Sequence, residues 1–253
     1  MTVVVAYKYA ANPQDASVGS DGVVNWSRAK ATVSEYDPIA IQLGRNLADA
    51  ANAPLVGITV GGTAVGSSMA KKNALSKGLD SAVILADDAT ATWNATQVAA
   101  ALVELVKTIE DPQLVITGDS SIDDGSRITS ALLAGYLGWP CFQEVLAVAH
   151  TDTGYTITQA VSGGVRTVDI TGPAVIAATS DAVEVKAASM KDILAAGKKP
   201  STDVALADIT VAPVALDITA RTKPAAKDRK KQLFTGDDAA AQLVAALRAD
   251  GVL

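Results

Sequence analysis

Short apolar runs alternate with longer amphipathic stretches through the first two-thirds of the chain. Val3 to Tyr7, Leu55 to Val60, Ala82 to Leu85 and Leu114 to Thr117 have the length and composition of buried strands. Between them, Pro38 to Asn52 places Ile39, Leu43 and Leu47 at four-residue intervals, and Thr96 to Ile109 repeats the pattern with Val98, Leu102, Leu105, Val106 and Ile109. That spacing puts the apolar side chains on one face of a helix. Strands alternating with helices need right-handed crossovers, so the pattern predicts an α/β fold with a mainly parallel sheet and helices on both faces. Ligands of such folds bind at the C-terminal ends of the strands. Those ends read Tyr7-Lys8-Tyr9, Gly61-Gly62-Thr63 and Gly118-Asp119-Ser120.

The rhythm changes after Trp139-Pro140. Tyr155 to Val161 and Val165 to Ile170, separated by Ser162-Gly163-Gly164, predict an antiparallel hairpin with a glycine turn. Ala174 to Ala178 follows as another buried strand, and a short helix over Ala188 to Ala196 is stopped by Gly197-Lys198-Lys199-Pro200. Residues 1–200 are therefore expected to form one α/β domain. From Ser201 to about Thr235, Pro213, Pro224 and weak periodicity predict an extended arm, and Asp237-Asp238 opens a helix carrying Leu243, Val244 and Leu247. A helix of this kind cannot bury its own apolar face, so the arm, residues 201–253, is expected to pack on another surface.

Composition narrows the function. Of 253 residues, 49% are hydrophobic, drawn mainly from Ala, Val, Ile and Leu, with two Phe, three Trp and five Tyr. A net charge of −6 gives no footprint for a polyphosphate backbone, which excludes nucleic acid as a partner. The basic stretch from Lys223 to Lys231, with Lys227, Arg229 and Lys230 inside it, reads as a solvated segment or a contact for an acidic partner. The start Met-Thr-Val-Val-Val-Ala lacks the basic region of a signal peptide, and one cysteine makes no internal disulfide, so a cytoplasmic location is expected. No apolar run approaches the ~20 residues of a membrane span.

Candidate chemistry is sparse. His150 is the only histidine and Cys141 the only cysteine, so a zinc site or a nucleophile–histidine pair rests on one candidate each. His150, beside Thr151-Asp152-Thr153-Gly154, is expected at the surface, and Cys141 in the core. The densest polar cluster is the loop Gly118, Asp119, Ser120, Ser121, Ile122, Asp123, Asp124, Gly125, Ser126 and Arg127, between a strand and the helix Ile128 to Leu137. Glycines there admit a ligand to the backbone, hydroxyls donate, and the helix N-terminus suits a phosphate. Three carboxylates oppose an anion unless they point away, and neither G-x-x-x-x-G-K-[ST] nor G-x-G-x-x-G is present, so a plain capped strand-to-helix turn is the competing reading.

Several segments together resemble the β subunits of electron transfer flavoproteins, and among them the Fix-type branch of anaerobic carnitine reduction and nitrogen fixation. They are VVVAYKYAANPQDASV, SRAKATVSEYDPIAI, ITVGG, GDSSIDDGSRITSALLAGYLGWP, VSGGVRTVDITGPAVIA and SMKDILAAGKKP, in that order over nearly the whole chain. The resemblance implies a Rossmann-like fold of the adenine-nucleotide-binding type and a heterodimer whose α subunit holds most of the redox FAD. It implies electron transfer from a dehydrogenase-type donor, such as an acyl-CoA dehydrogenase, to a flavin or quinone acceptor, with no metabolite chemistry of the chain's own. It further implies an AMP in the β subunit, at elements that fall here on Ala6, on Asp37 and Pro38, on Val60, and on Asp119 through Arg127 to Ile128 and Thr129.

The chain departs from the family pattern at two of these elements. Asp37 stands where the family commonly has Asn, and the loop reads Ile-Asp-Asp-Gly-Ser-Arg where common β subunits have a third Asp followed by Cys-Asn-Gln. A second FAD at the AMP position, as in bifurcating relatives, and an empty pocket in a pure assembly subunit are the competing expectations. Alignment back from Lys198-Lys199-Pro200 puts Met190 at the residue that docks a partner dehydrogenase, where a core position in a short helix is the other reading. From another class, a free-standing adenine-nucleotide module of the universal-stress type shares the rhythm but has no use for the long arm.

Overall fold

A computed structural model describes residues 1–211, 219–220, 224–226 and 231–253 of the chain. Pro213, Lys223, Lys227, Arg229 and Lys230, on which part of the arm and basic-stretch readings rested, lie outside the described residues. The elements up to the second strand crossover are β1 (Thr2–Ala6), β2 (Tyr9–Ala11), β3 (Ser17–Val18), β4 (Val24–Asn25), β5 (Ala31–Val33), α1 (Asp37–Ala51), β6 (Leu55–Gly61), α2 (Ser68–Leu75) and β7 (Ser81–Ala86). Then come α3 (Ala95–Lys107), β8 (Pro112–Gly118), α4 (Thr129–Leu137), β9 (Cys141–Thr151), β10 (Gly154–Val161), β11 (Gly164–Ile170), β12 (Ala174–Ala178), α5 (Met190–Ala196), β13 (Ser201–Val204) and α6 (Ala239–Ala249).

Among the described residues, nine strands join in one sheet, in the order β11-β10-β9-β12-β8-β1-β6-β7-β13. The pairs from β9 to β13 are parallel, and β9-β10-β11 is an antiparallel meander. The α/β fold with a mainly parallel sheet and an antiparallel extension is thus the observed one. Strand β9, not anticipated from the pattern, makes the predicted hairpin three-stranded. Residues 201–204, read as the start of the arm, instead pair with β7 as the last strand of the sheet.

Central strands buried on both faces carry the apolar runs. Alternate residues of β1 enter opposite cores: Val3 and Val5 meet Ile41, Leu43 and Leu47 of α1, whereas Val4 and Ala6 share a core with Leu102, Leu105 and Val106 of α3. Gly44 lets α1 approach the sheet, because a Cβ there would stand 2.8 Å from Leu55 Cδ1 and 3.0 Å from Val5 Cγ2. Helix α3 opens with a capping box in which Asn94 accepts from the Thr96 and Gln97 N–H groups.

Cys141 corrects the sequence-based expectation. It is exposed, because along β9 its neighbour Phe142 is the one that turns inward onto the first core. His150 is exposed as expected, on β9 and edge-on to Tyr155 with ring centroids 5.8 Å apart. No helix among the described residues is long and apolar enough to cross a membrane.

Residues 222–253 form a separate compact unit. Within it α6 has no buried residue, and Leu243 and Val244 on its surface are exposed.

Candidate functional site

The chain runs from β1 outward to β6 and β7, then returns through α3 to β8 on the other side of β1. This reversal splays the loops at the C-terminal ends of β1 and β8 and leaves a crevice between them. A cleft of about 610 Å³ lies there, lined by Ala6 to Tyr9 at the end of β1, Val60 to Gly62 at the end of β6, and Thr117 to Ser121 at the end of β8. Asp123, Asp124, Ser126, Arg127, Thr129 and Ser130 complete its acidic side, and Thr90, Trp93, Asn94, Val98 and Trp26 its far side.

The sequence-predicted positions converge on this cleft. Ala6, Asp37, Val60, Gly118, Asp119, Ser120, Ser121, Asp123, Asp124, Ser126, Arg127 and Thr129 all line it. Pro38, Ile122, Gly125 and Ile128 belong to the same segments but do not line the cleft. Pro38 stands in the first turn of α1, where its missing N–H is not needed. Gly125 takes φ +63°, which lets its N–H fold back onto the Ser121 carbonyl at 3.0 Å.

Asp37 holds the floor. It is buried, and its Oδ2 accepts from the Lys8 N–H at 2.7 Å, while the Gly118 N–H also donates to its carboxylate. One side chain thereby ties the end of β1 to the end of β8. Burial pushes its carboxyl up to about 7, against the pull of the two backbone N–H groups and the Lys8 ammonium, with Asp123 adding to the rise. Gly118 makes the approach feasible: a Cβ there would lie 2.8 Å from Tyr36 Cβ and 2.9 Å from Asp37 Oδ1.

The charges around the rim are mutually engaged. Lys8 Nζ meets Asp123 at 2.9 Å and 2.7 Å, one contact to each carboxylate oxygen. Burial opposes ionisation of Asp123, but the Lys8 ammonium, the Ser121 hydroxyl and its own backbone N–H together outweigh it and hold the carboxyl below the ordinary range. Arg127 donates from Nη2 to Asp119 Oδ2 at 2.9 Å and also to Glu144. For Asp119 burial dominates, Glu144 adds to it, and the carboxyl is raised despite the arginine.

Among the described residues that line the cleft, two groups are left wanting a partner. Thr117 is 4% exposed, lines the cleft, and its Oγ1 makes no hydrogen bond; Asp119 Oδ1 is buried and equally unpartnered. An unsatisfied buried hydroxyl facing a cleft is a ready contact for a polar ligand atom. Helix α4 begins at Thr129 with no side-chain cap, so first-turn N–H groups next to the cleft remain for an anion.

Sequence reasoning missed the far wall. Thr90, Trp93 and Asn94 come from the connection after β7, a fourth strand end whose Asp87-Asp88 turn carries no glycine to draw notice. Trp26 comes from the β4–β5 excursion, where no periodic signal exists. Met190 lies elsewhere, as the first residue of α5. It is 73% exposed, beside exposed Ile193 and Leu194, so the core reading for it is excluded.

A family model described as an electron transfer flavoprotein domain matches residues 21–209. The match takes in α1, the whole Gly118 to Thr129 loop and the meander, and leaves β1 and α6 outside it.

Proposed function

Because the chain belongs to the electron transfer flavoprotein family, we propose that it is the β subunit of a heterodimeric electron transfer flavoprotein of the Fix-type branch, working in the cytoplasm. It passes electrons from a dehydrogenase-type donor to a flavin or quinone acceptor and alters no metabolite itself. The α subunit holds most of the FAD, which when bound supplies the electron chemistry. This chain covers the flavin's open side, surrounds it with fixed dipoles and offers the surface that meets the redox partner.

The observation that carries the reading is the cleft at the β1–β8 switch point. Its walls suit an adenine nucleotide: Ala6, Val60, Val98 and Trp93 offer apolar surface, and Thr117 and the α4 N-terminus offer unspent polar groups. Ala6, Asp37, Val60 and the Asp119 to Thr129 loop would hold AMP there. A second reading rests on the cleft's reach past β6 to Trp93 and Asn94. That length favours a larger ligand, a second FAD in a bifurcating relative. Family membership counts against a free-standing stress-type module.

The test is to copurify the chain with its α partner, denature the complex and count FAD and AMP per heterodimer by mass spectrometry and absorbance. Equal FAD and AMP support the simple carrier, and a doubled FAD count supports bifurcation. FAD without AMP makes the cleft empty and the chain an assembly subunit. Absence of any flavin overturns the proposal.

A further inference from the structure

The Asp119–Arg127 pair stands between the main cleft and a smaller cavity of about 250 Å³, and both residues line both spaces. The smaller cavity is closed by Gln143, Glu144 and Ala177. Here β9 bulges: Phe142 pairs with Ile176 and Val145 with Ala178, so Gln143 and Glu144 together face the single residue Ala177. Such bulges re-aim side chains beside functional sites. This one turns Glu144 onto the Arg127 guanidinium and lets Gln143 Nε2 donate to the Arg127 carbonyl at 3.1 Å and to Ser130 Oγ at 3.2 Å.

Both partners adopt left-handed backbone that non-glycine residues rarely take, φ +56° at Arg127 and +55° at Glu144. Two strained residues held against each other from separate elements mark a contact the fold maintains. The charge balance shows its consequence. Among the described residues, the cleft is lined by four carboxylates, Asp37, Asp119, Asp123 and Asp124, and by two cations, Lys8 and Arg127. Lys8 is engaged by Asp123, and Arg127 by Asp119 and, from outside the cleft, by Glu144.

We infer that Glu144 is a positioning residue that sets the phosphate-charge limit of the cleft, by holding Arg127 in a net-negative triad so that a nucleoside monophosphate is accepted and di- and triphosphates are rejected. The inference rests on the AMP reading of the cleft, not on the second-FAD reading, and deepens it. An incoming phosphate meets a guanidinium whose charge is already over-neutralised, and each further phosphate adds repulsion from Glu144 and Asp119 without gaining a free cation among the described lining residues. Without the Glu144 charge, Arg127 keeps one carboxylate and can turn part of its fork to the ligand.

The experiment is equilibrium dialysis of labelled AMP against the full-length chain copurified with its α partner, with adenosine, ADP and ATP as competitors. The wild type should bind AMP ahead of ADP and ADP ahead of ATP. Glu144→Gln should narrow that order by roughly two- to fivefold per added phosphate, the scale of a partly exposed ion pair, while adenosine competes unchanged. Glu144→Asp should restore the wild-type order, and added salt should narrow the order in the wild type itself. An unchanged AMP, ADP and ATP order in Glu144→Gln overturns the inference and leaves the cleft as a nucleotide site. A wild type that binds ATP as well as AMP overturns it without any variant. Failure to bind every nucleotide, adenosine included, removes the cleft reading itself and the inference with it.

Discussion

Asp37 is buried at the base of the cleft, and the pH dependence that follows has a definite sign. Its carboxyl titrates near 7 in the folded chain, whereas an unfolded aspartate titrates near ~3.9. Between those values the folded state holds the proton that the unfolded state has lost, so this group's contribution to stability declines as pH rises from about 4 to about 7. Urea unfolding across that window should show the decline, and Asp37→Asn should flatten it; an identical slope in the variant would refute the assignment. At Gly118 the constraint is steric. Gly118→Ala puts a methyl group against Tyr36 and Asp37 and should cost roughly 1–3 kcal/mol, read from the denaturation midpoint, with reduced nucleotide retention. Equal stability would mean that the close approach of α1 to β8 is not obligatory. The motif residues were legible in the sequence, but the tie from Asp37 to Lys8 and Gly118 was not, since its partners are separated by tens of residues.

Elements differ in how much of their role is local. Helix α3 announced itself through its apolar spacing, and its capping box at Asn94 is a sequence feature that the structure also uses as cleft wall. Asn94→Ala should lower stability by about 1 kcal/mol, checked by thermal unfolding, and a neutral result would show that packing alone holds the first turn. Helix α5 exposes Met190, Ile193 and Leu194 on its surface. If Met190 docks the redox partner, as the family resemblance implies, Met190→Ala slows reduction by the partner dehydrogenase and leaves flavin content untouched; unaltered transfer rates would sink it. Strand β9 was illegible because its residues alternate only weakly between exposed and buried, and its bulge depends on β12, which follows it in the chain by some thirty residues.

For the molecule as a whole, the arm is the part proposed to pack on the partner subunit. Helix α6 buries none of its residues, and its Leu243 and Val244 are exposed. Removal of the chain from Ala226 onward should therefore weaken heterodimer formation, measured as the dissociation constant for the α subunit; an unchanged constant would leave α6 without a partner role. The sequence by itself determined the alternation of strands and helices, the parallel core and the position of the Asp119 loop at a strand end, because periodic burial and turn chemistry are local properties. Only the tertiary structure decided that β1 lies between β6 and β8, that residues 201–204 close the far edge, and that Glu144 reaches Arg127. Those outcomes depend on which distant segments pack side by side, and pairing between distant segments leaves no periodic trace in either of them.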